Sequence, residues 1–117
     1  MARPAGWSKY LLSALAGLLL APGLHAQQPD AERVRQLIHL VRQDCGSCHG
    51  LTLKGGLGPA LTADALRERP PVGLQATILH GRPGTPMPPF LNIVSEAEAS
   101  WIVGQLLAGF PTEASSR

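Results

Sequence analysis

The chain has 117 residues, enough for one ordinary domain, and its 44% hydrophobic and 15% charged residues exclude a wholly disordered tail. Ten Lys and Arg residues against eight Asp and Glu residues give a formal net charge of +2 at pH 7. The excess comes from Arg3 and Lys9, which lie in an N-terminal segment without acidic residues. The remainder is balanced, which argues against a nucleic-acid-binding surface.

Residues 1–26 have the layout of a secretory signal peptide, with basic residues first, an apolar stretch over 10–21, and the segment PGLHA last. The 12-residue apolar stretch is shorter than the roughly 20 residues that a transmembrane helix needs. We therefore predict export with cleavage after Ala26 and no permanent membrane anchor. The alternative is an uncleaved anchor at the membrane surface.

The predicted mature domain, residues 27–117, has only three aromatic side chains, which are Phe90, Trp101 and Phe110. A domain this small buries about 60–65% of the surface that its unfolded chain exposes, and it is marginally stable without a staple or a cofactor. We therefore expect a large apolar group to fill the middle of the domain.

The first predicted helix begins after Asp30, a candidate N-cap, and runs to about Asp44. One apolar stripe at helical spacing is expected to face the core, and it consists of Val34, Leu37, Ile38 and Val41. The glycines and the proline within 50–61 predict a wrapped loop rather than a helix or strand.

Two short helices are predicted next, one from near Thr62 to before Pro70 and one over 72–80, which a glycine then ends. Residues 81–90 hold four prolines and two glycines, so they are expected to form an irregular but stiff loop.

The last helix is predicted from the capping-box pattern of Ser95 and Glu98, and Gly109 and Pro111 are expected to end it. Its apolar face is Ala99, Ile102, Val103, Leu106 and Phe110. Trp101 lies off this face, either as a half-exposed indole that shields the first helix or as a docking anchor for a partner. The predicted fold class is a small all-α domain with long loops.

Cys45, Cys48 and His49 form a C-x-x-C-H segment, the attachment signature of c-type haem. Two thiols one helical turn apart can each add to one vinyl group of the porphyrin, and the histidine then lies beneath the iron. A thioredoxin-like pair would use the same cysteines, but its β-α-β setting is absent from this pattern. A closed zinc site would need four ligands, and only scattered histidines could complete it. Haem is the preferred interpretation.

Met87 is the only methionine after residue 26 and the candidate for the second axial ligand of the iron. The prolines around it hold the backbone extended and stiff, so its thioether loses little entropy on binding. In the alternative, Met87 is core filler and His80 or His39 is the ligand, although His39 lies off the apolar stripe and is expected to face solvent. Thr85 and Arg82 are close enough in sequence to donate hydrogen bonds near the haem.

The segments DCGSCHG, GLGPAL, GTPMPPF and SEAEASWIV together resemble those of class I c-type cytochromes across residues 31–110. Within that class the chain is most similar to the cytochrome c-55X family, small periplasmic cytochromes associated with the nitrite reductase of denitrifying bacteria. The resemblance implies a small class I cytochrome fold with N- and C-terminal helices packed around one covalent haem c. The residues it implies at the haem are Cys45 and Cys48 as thioethers, His49 and Met87 as iron ligands, and Pro59, whose carbonyl accepts from the His49 ring.

An iron held by histidine and methionine has no open position, so it suits electron transfer rather than catalysis. The resemblance implies a soluble, periplasmic, monomeric one-electron carrier, not an enzyme, that donates to cytochrome cd nitrite reductase. Its own electrons would come from an upstream periplasmic or membrane donor. A second hypothesis is an accessory role in the maturation or delivery of the d-type haem of that reductase. A third, a haem enzyme or gas sensor, requires Met87 to leave the iron.

Overall fold

The computed structural model describes residues 1–2 and 28–112, so the predicted signal peptide beyond its first two residues, and its cleavage after Ala26, lie outside the described residues. In the second range every regular element is helical, which confirms the predicted all-α class. The elements are α1 (Ala31–Leu40), a π-helical turn (Val41–Cys45), α2 (Gly46–His49), α3 (Ala63–Leu66), α4 (Pro71–His80) and α5 (Glu96–Leu107). None of the helices within 28–112 has the length and apolar character to cross a membrane.

Helix α1 begins where the sequence predicts, because the Asp30 carboxylate accepts a hydrogen bond from the Arg33 N–H at 2.8 Å. The prediction that this helix ends near Asp44 is wrong. The chain continues through the π-helical turn and α2 as far as His49. The two cysteines and the histidine therefore lie on helical backbone instead of following a helix end.

The loop after α2 explains why the helical segment extends so far. The Gly55 N–H donates to the His49 carbonyl oxygen and the Gly58 N–H donates to the Cys48 carbonyl oxygen, both at 2.8 Å. These carbonyls at the end of a helix would otherwise lack partners. The wrapped loop predicted over 50–61 is present, and its N–H groups cap the C-terminal end of α2.

Both middle helices predicted from the sequence are present, but α3 ends at Leu66, short of the predicted end before Pro70. The Thr62 hydroxyl caps α3, and α4 begins one residue earlier than predicted, at Pro71. Gly81 ends α4 with φ +66°, a conformation that favours glycine.

The core lies where α1, α4 and α5 meet the two long loops. Its buried apolar side chains are Leu37, Val41, Leu53, Leu66, Leu79, Phe90, Val94, Ala99, Ile102 and Leu106. Four of the five residues predicted for the apolar face of α5 are buried, whereas Phe110 lies beyond the end of that helix and is half-buried. Trp101 is half-buried and packs against the core, as expected for the shielding interpretation.

Arg42, in the π-helical turn, joins the segment that follows α5 to the segment before the cysteines. Its guanidinium donates to the carbonyl oxygens of Phe110 at 3.0 Å and Pro111 at 2.9 Å. It also lies 5.4 Å from the centroid of the Phe110 ring, a distance typical of a cation–π contact. The same side chain reaches the Leu51 carbonyl oxygen at 3.5 Å, so it joins three separate stretches of chain.

An ion pair joins α1 to α5. Arg33 Nε donates to Glu98 Oε1 at 2.5 Å, and Arg33 also donates to the Ile93 carbonyl oxygen at 3.0 Å. Glu98 completes the capping box with Ser95 that the sequence predicts. The hydrogen bond from Arg33 holds the pKa of Glu98 below its usual value, and the Ser95 N–H adds to the effect.

We expect Glu98→Gln to destabilise the protein by about 1 kcal/mol at pH 7, because a partly exposed charge-assisted hydrogen bond is lost. A carboxyl whose folded pKa is lowered contributes stability above its unfolded pKa, and this contribution disappears as the pH falls through the folded pKa. The gap between Glu98→Gln and wild type should therefore shrink between pH 5 and pH 3. Urea unfolding across that range measures it, with Glu96→Gln as the control. A gap that does not change with pH would disprove the ionic contribution.

Candidate haem site

The two cysteines occupy one helical turn but differ in exposure. Cys45 is half-buried and packs against the core, Cys48 is exposed, and the two form no disulfide with each other. Burial raises the pKa of the Cys45 thiol to about 11, and the nearby Asp44 carboxylate adds to this rise. A redox-active Cys-x-x-Cys pair needs a lowered thiol pKa and commonly lies at a helix N-terminus. Cys45 has the opposite shift, which disfavours the thioredoxin-like alternative.

The zinc alternative also lacks support. Within the part of the chain that the structure describes, no three His, Cys, Asp or Glu side chains lie close enough together to hold a metal ion. A closed zinc site needs four such ligands. The described residues therefore do not supply one around Cys45 and Cys48.

The imidazole of His49 is held in one orientation. Its Nδ1 lies 2.7 Å from the carbonyl oxygen of Pro59. Because a carbonyl only accepts hydrogen bonds, Nδ1 carries the proton, and in the neutral ring the lone pair is on Nε2. His49 therefore presents Nε2 as a ligand nitrogen, the arrangement that a metal-binding histidine needs.

The loop backbone packs directly against the His49 ring. A β-carbon added at Gly58 would lie 2.8 Å from both Nδ1 and Cε1 of His49, a distance too short for any side chain. A β-carbon at Gly56 would lie 2.7 Å from the Cys48 carbonyl oxygen. The sequence shows these glycines, but only the structure shows which of them the imidazole requires.

We expect Gly58→Ala to destabilise the protein by about 1–3 kcal/mol, the usual cost of forcing an extra methyl group into a packed site. Gly104→Ala is the matched control, because a β-carbon there meets nothing within 4 Å. Since Gly104 lies inside α5, that change should stabilise the protein by about 0.5–1 kcal/mol. Urea unfolding measures both, and equal effects of the two substitutions would contradict the close approach at His49.

The loop that carries Met87 is fixed at its far end to α4. The Phe90 N–H donates to the Ile78 carbonyl oxygen at 3.0 Å and the Leu91 N–H donates to the Leu79 carbonyl oxygen at 3.1 Å. Met87 itself is half-buried and packs against the same core cluster as Cys45.

The other ligand candidates lie on the surface. His39 is exposed on α1, as predicted, and His80 is exposed at the end of α4. Thr85 and Arg82 are close enough in sequence to donate hydrogen bonds near a haem, and in the structure both hydrogen-bond to the backbone of Met87. The Thr85 hydroxyl accepts from the Met87 N–H, and the Arg82 N–H donates to the Met87 carbonyl oxygen.

The residues present fit a covalently attached haem. The donor set comprises two cysteine side chains on one helical turn, an imidazole with Nε2 available, and a half-buried thioether. Cys45 and Met87 both border the apolar core, which supplies the non-aqueous surroundings that a porphyrin needs. Cys45 and Cys48 would hold the haem through thioethers, and His49 and Met87 would ligate its iron.

Comparisons with known proteins agree with this chemistry. Residues 32–104 match the family model described as cytochrome C oxidase, cbb3-type, subunit III. The chain is 53% identical over 107 residues to cytochrome c55X of Pseudomonas aeruginosa, a match that covers 92% of this chain and 90% of that protein. Among solved structures, the c-type cytochrome NirC is 59% identical with a TM-score of 0.67, covering 68% of this chain and 94% of that one.

A further relative is much longer than this chain. The dihydro-heme d1 dehydrogenase of Pseudomonas aeruginosa is 35% identical over 103 residues, which covers 88% of this chain but 20% of that protein. The family match and the cytochrome c55X relatives each span most of the chain, and c-type cytochromes bind a haem c covalently. This chain therefore belongs to the c-type cytochromes and, within them, to the cytochrome c55X family.

Proposed function

We propose that this protein is a one-electron carrier whose haem iron is held by His49 and Met87. The observation that carries the proposal is the oriented imidazole, with Nδ1 occupied by the Pro59 carbonyl at 2.7 Å and Nε2 left for the iron. The half-buried thioether of Met87, on a loop fastened to α4, supports its assignment as the second ligand.

A haem bound at these residues supplies one-electron oxidation and reduction at its iron. With His49 and Met87 both in place, a substrate would have no free position, so the site suits electron transfer rather than catalysis. The sulfur of Met87 favours the reduced form relative to a second imidazole. The role of the chain is to hold the same two ligands in both redox states.

We also propose that the carrier is periplasmic, with residues 1–26 as a removed signal peptide and 27–117 as the monohaem domain. Thioether attachment requires the two cysteines to reach a compartment outside the cytoplasm, which agrees with this location. The protein recovered from a periplasmic extract should begin at Gln27, and N-terminal sequencing checks this. A protein that retains Met1 would contradict cleavage.

The proposed electron acceptor is cytochrome cd nitrite reductase, and the donor is an upstream periplasmic or membrane protein. The support is the family resemblance together with the cytochrome c55X and NirC relatives. Stopped-flow mixing of the reduced protein with that reductase and nitrite should oxidise the haem as fast as nitrite is turned over. Nitrite alone is the control and should oxidise nothing. A haem that stays reduced during turnover would remove the donor assignment.

A second candidate function is an accessory role in the maturation or delivery of d-type haem. The similarity to dihydro-heme d1 dehydrogenase over 88% of this chain favours it. Titration of the purified protein with isolated d-type haem separates the two functions. A simple carrier should give only the sum of the two spectra, whereas a saturable spectral change would support the accessory role.

A further inference from the structure

The segment that carries Met87 lies directly on the end of α4. A β-carbon at Gly81 would lie 2.6 Å from the Met87 carbonyl oxygen, 2.8 Å from the carbonyl carbon of Pro88 and 2.9 Å from the nitrogen of Pro89. All three are backbone atoms, so a side chain at Gly81 would displace the segment itself. Gly81 therefore sets how closely the Met87 segment approaches the helix.

Both backbone polar groups of Met87 are paired within its own loop. The Arg82 N–H donates to the Met87 carbonyl oxygen at 3.2 Å, and the Met87 N–H donates to Thr85 Oγ1 at 3.4 Å. The Thr85 hydroxyl in turn donates to the Arg82 carbonyl oxygen at 2.7 Å. The prolines next to Met87 restrict the backbone dihedral angles but have no N–H to donate. These hydrogen bonds therefore add to the prolines in holding the Met87 backbone.

We infer that Thr85 is a positioning residue for the distal iron ligand, because its hydroxyl joins the Arg82 carbonyl to the Met87 N–H and so holds the thioether in place. The inference rests on the proposed ligation by Met87. A hydroxyl can donate to one group and accept from the other through the same oxygen, which a valine side chain cannot do. Without it the Met87 backbone gains freedom, and that freedom must be lost again each time the sulfur binds iron.

The test is a titration of the oxidised holoprotein with imidazole at pH 7. The loss of the methionine-to-iron charge-transfer band reports how much imidazole has bound. Imidazole competes with Met87 for the iron, so its apparent affinity rises as Met87 is held less firmly. We expect Thr85→Val to raise that affinity about two- to tenfold, the equivalent of one net hydrogen bond. Thr85→Ser keeps the hydroxyl and should restore the affinity to within about twofold of wild type.

Two further variants separate positioning from general destabilisation. Thr77→Val removes a hydroxyl that donates to the Gly73 carbonyl within α4, and it should leave the imidazole affinity unchanged. Thr85 is exposed, so its replacement removes no core packing. Gly81→Ala, which displaces the Met87 segment directly, should raise the imidazole affinity more than Thr85→Val does.

Met87→Ala distinguishes the failure of this inference from the failure of the proposed ligation. If Met87→Ala keeps the charge-transfer band and the wild-type imidazole affinity, Met87 is not the ligand. If that variant loses the band but Thr85→Val binds imidazole like wild type, the positioning role is overturned and the ligation stands. Equal effects of Thr85→Val and Thr85→Ser would also overturn it, because the hydroxyl would then be irrelevant.

Discussion

Replacing Met87 with histidine is expected to lower the midpoint potential of the haem by more than about 100 mV, since axial-ligand identity spans about 0.8 V among haem proteins. A thioether stabilises reduced iron relative to a second imidazole, so Met87→His favours the oxidised form. The methionine-to-iron charge-transfer band should disappear at the same time. The haem should stay covalently attached, because Cys45 and Cys48 are unchanged. A redox titration followed by visible absorption measures the potential and the band together.

Leu91→His is the matched control for that substitution. Leu91 lies four residues beyond Met87, and half of its side chain is exposed. The Leu91→His substitution therefore introduces an imidazole near the site without removing the Met87 thioether. This control should keep the wild-type potential and the charge-transfer band. A Met87→His protein that keeps both would show that the second ligand is another group.

Features governed by local chemistry could be predicted from the sequence. The side chain of Asp30 caps α1, Ser95 and Glu98 form the capping box of α5, and Gly81 ends α4. Each depends on residues within a few positions of one another, so the pattern contains the information needed. The C-x-x-C-H segment is similarly local, because its spacing alone specifies the attachment chemistry.

The extension of the first helical segment to His49 could not be predicted, because its cause lies further along the chain. Gly58 caps the Cys48 carbonyl from ten residues away, and glycine by itself signals only a loop. Arg42 is a stronger example. Its partner Phe110 is 68 residues distant, and nothing in the sequence pairs them. Such contacts depend on how the helices pack and not on local preference.

The candidate site also has features that the sequence predicts and features that only the structure gives. The resemblance implies His49 and Met87 as ligands and a hydrogen bond from the His49 ring to the Pro59 carbonyl, and the structure adds that Nδ1 is the ring nitrogen involved, at 2.7 Å. Thr85 is two residues from Met87, so the sequence predicts that the two residues are close. The sequence does not predict that the Thr85 hydroxyl bonds to the backbone of both Met87 and Arg82.

Replacing Cys45 and Cys48 together with alanine is expected to give a protein from which acidified acetone extracts the haem, whereas wild type should retain it. The double variant should also lose several kcal/mol of stability, because Cys45 packs against a core that contains few aromatic residues. A haem that is no longer bonded to the chain stabilises the fold only by mass action. The free energy of unfolding should therefore rise with added haem in Cys45→Ala/Cys48→Ala and stay constant in wild type.

Cys48→Ala alone separates the loss of the covalent links from the loss of side-chain packing. Cys48 is exposed, so its removal disturbs little, and the remaining link at Cys45 should keep the haem on the chain in acidified acetone. Its unfolding should not depend on added haem, because one covalent link already fixes the haem concentration at the site. A wild-type protein that releases its haem to acetone, or that carries two titratable thiols while coloured, would exclude covalent attachment at both cysteines.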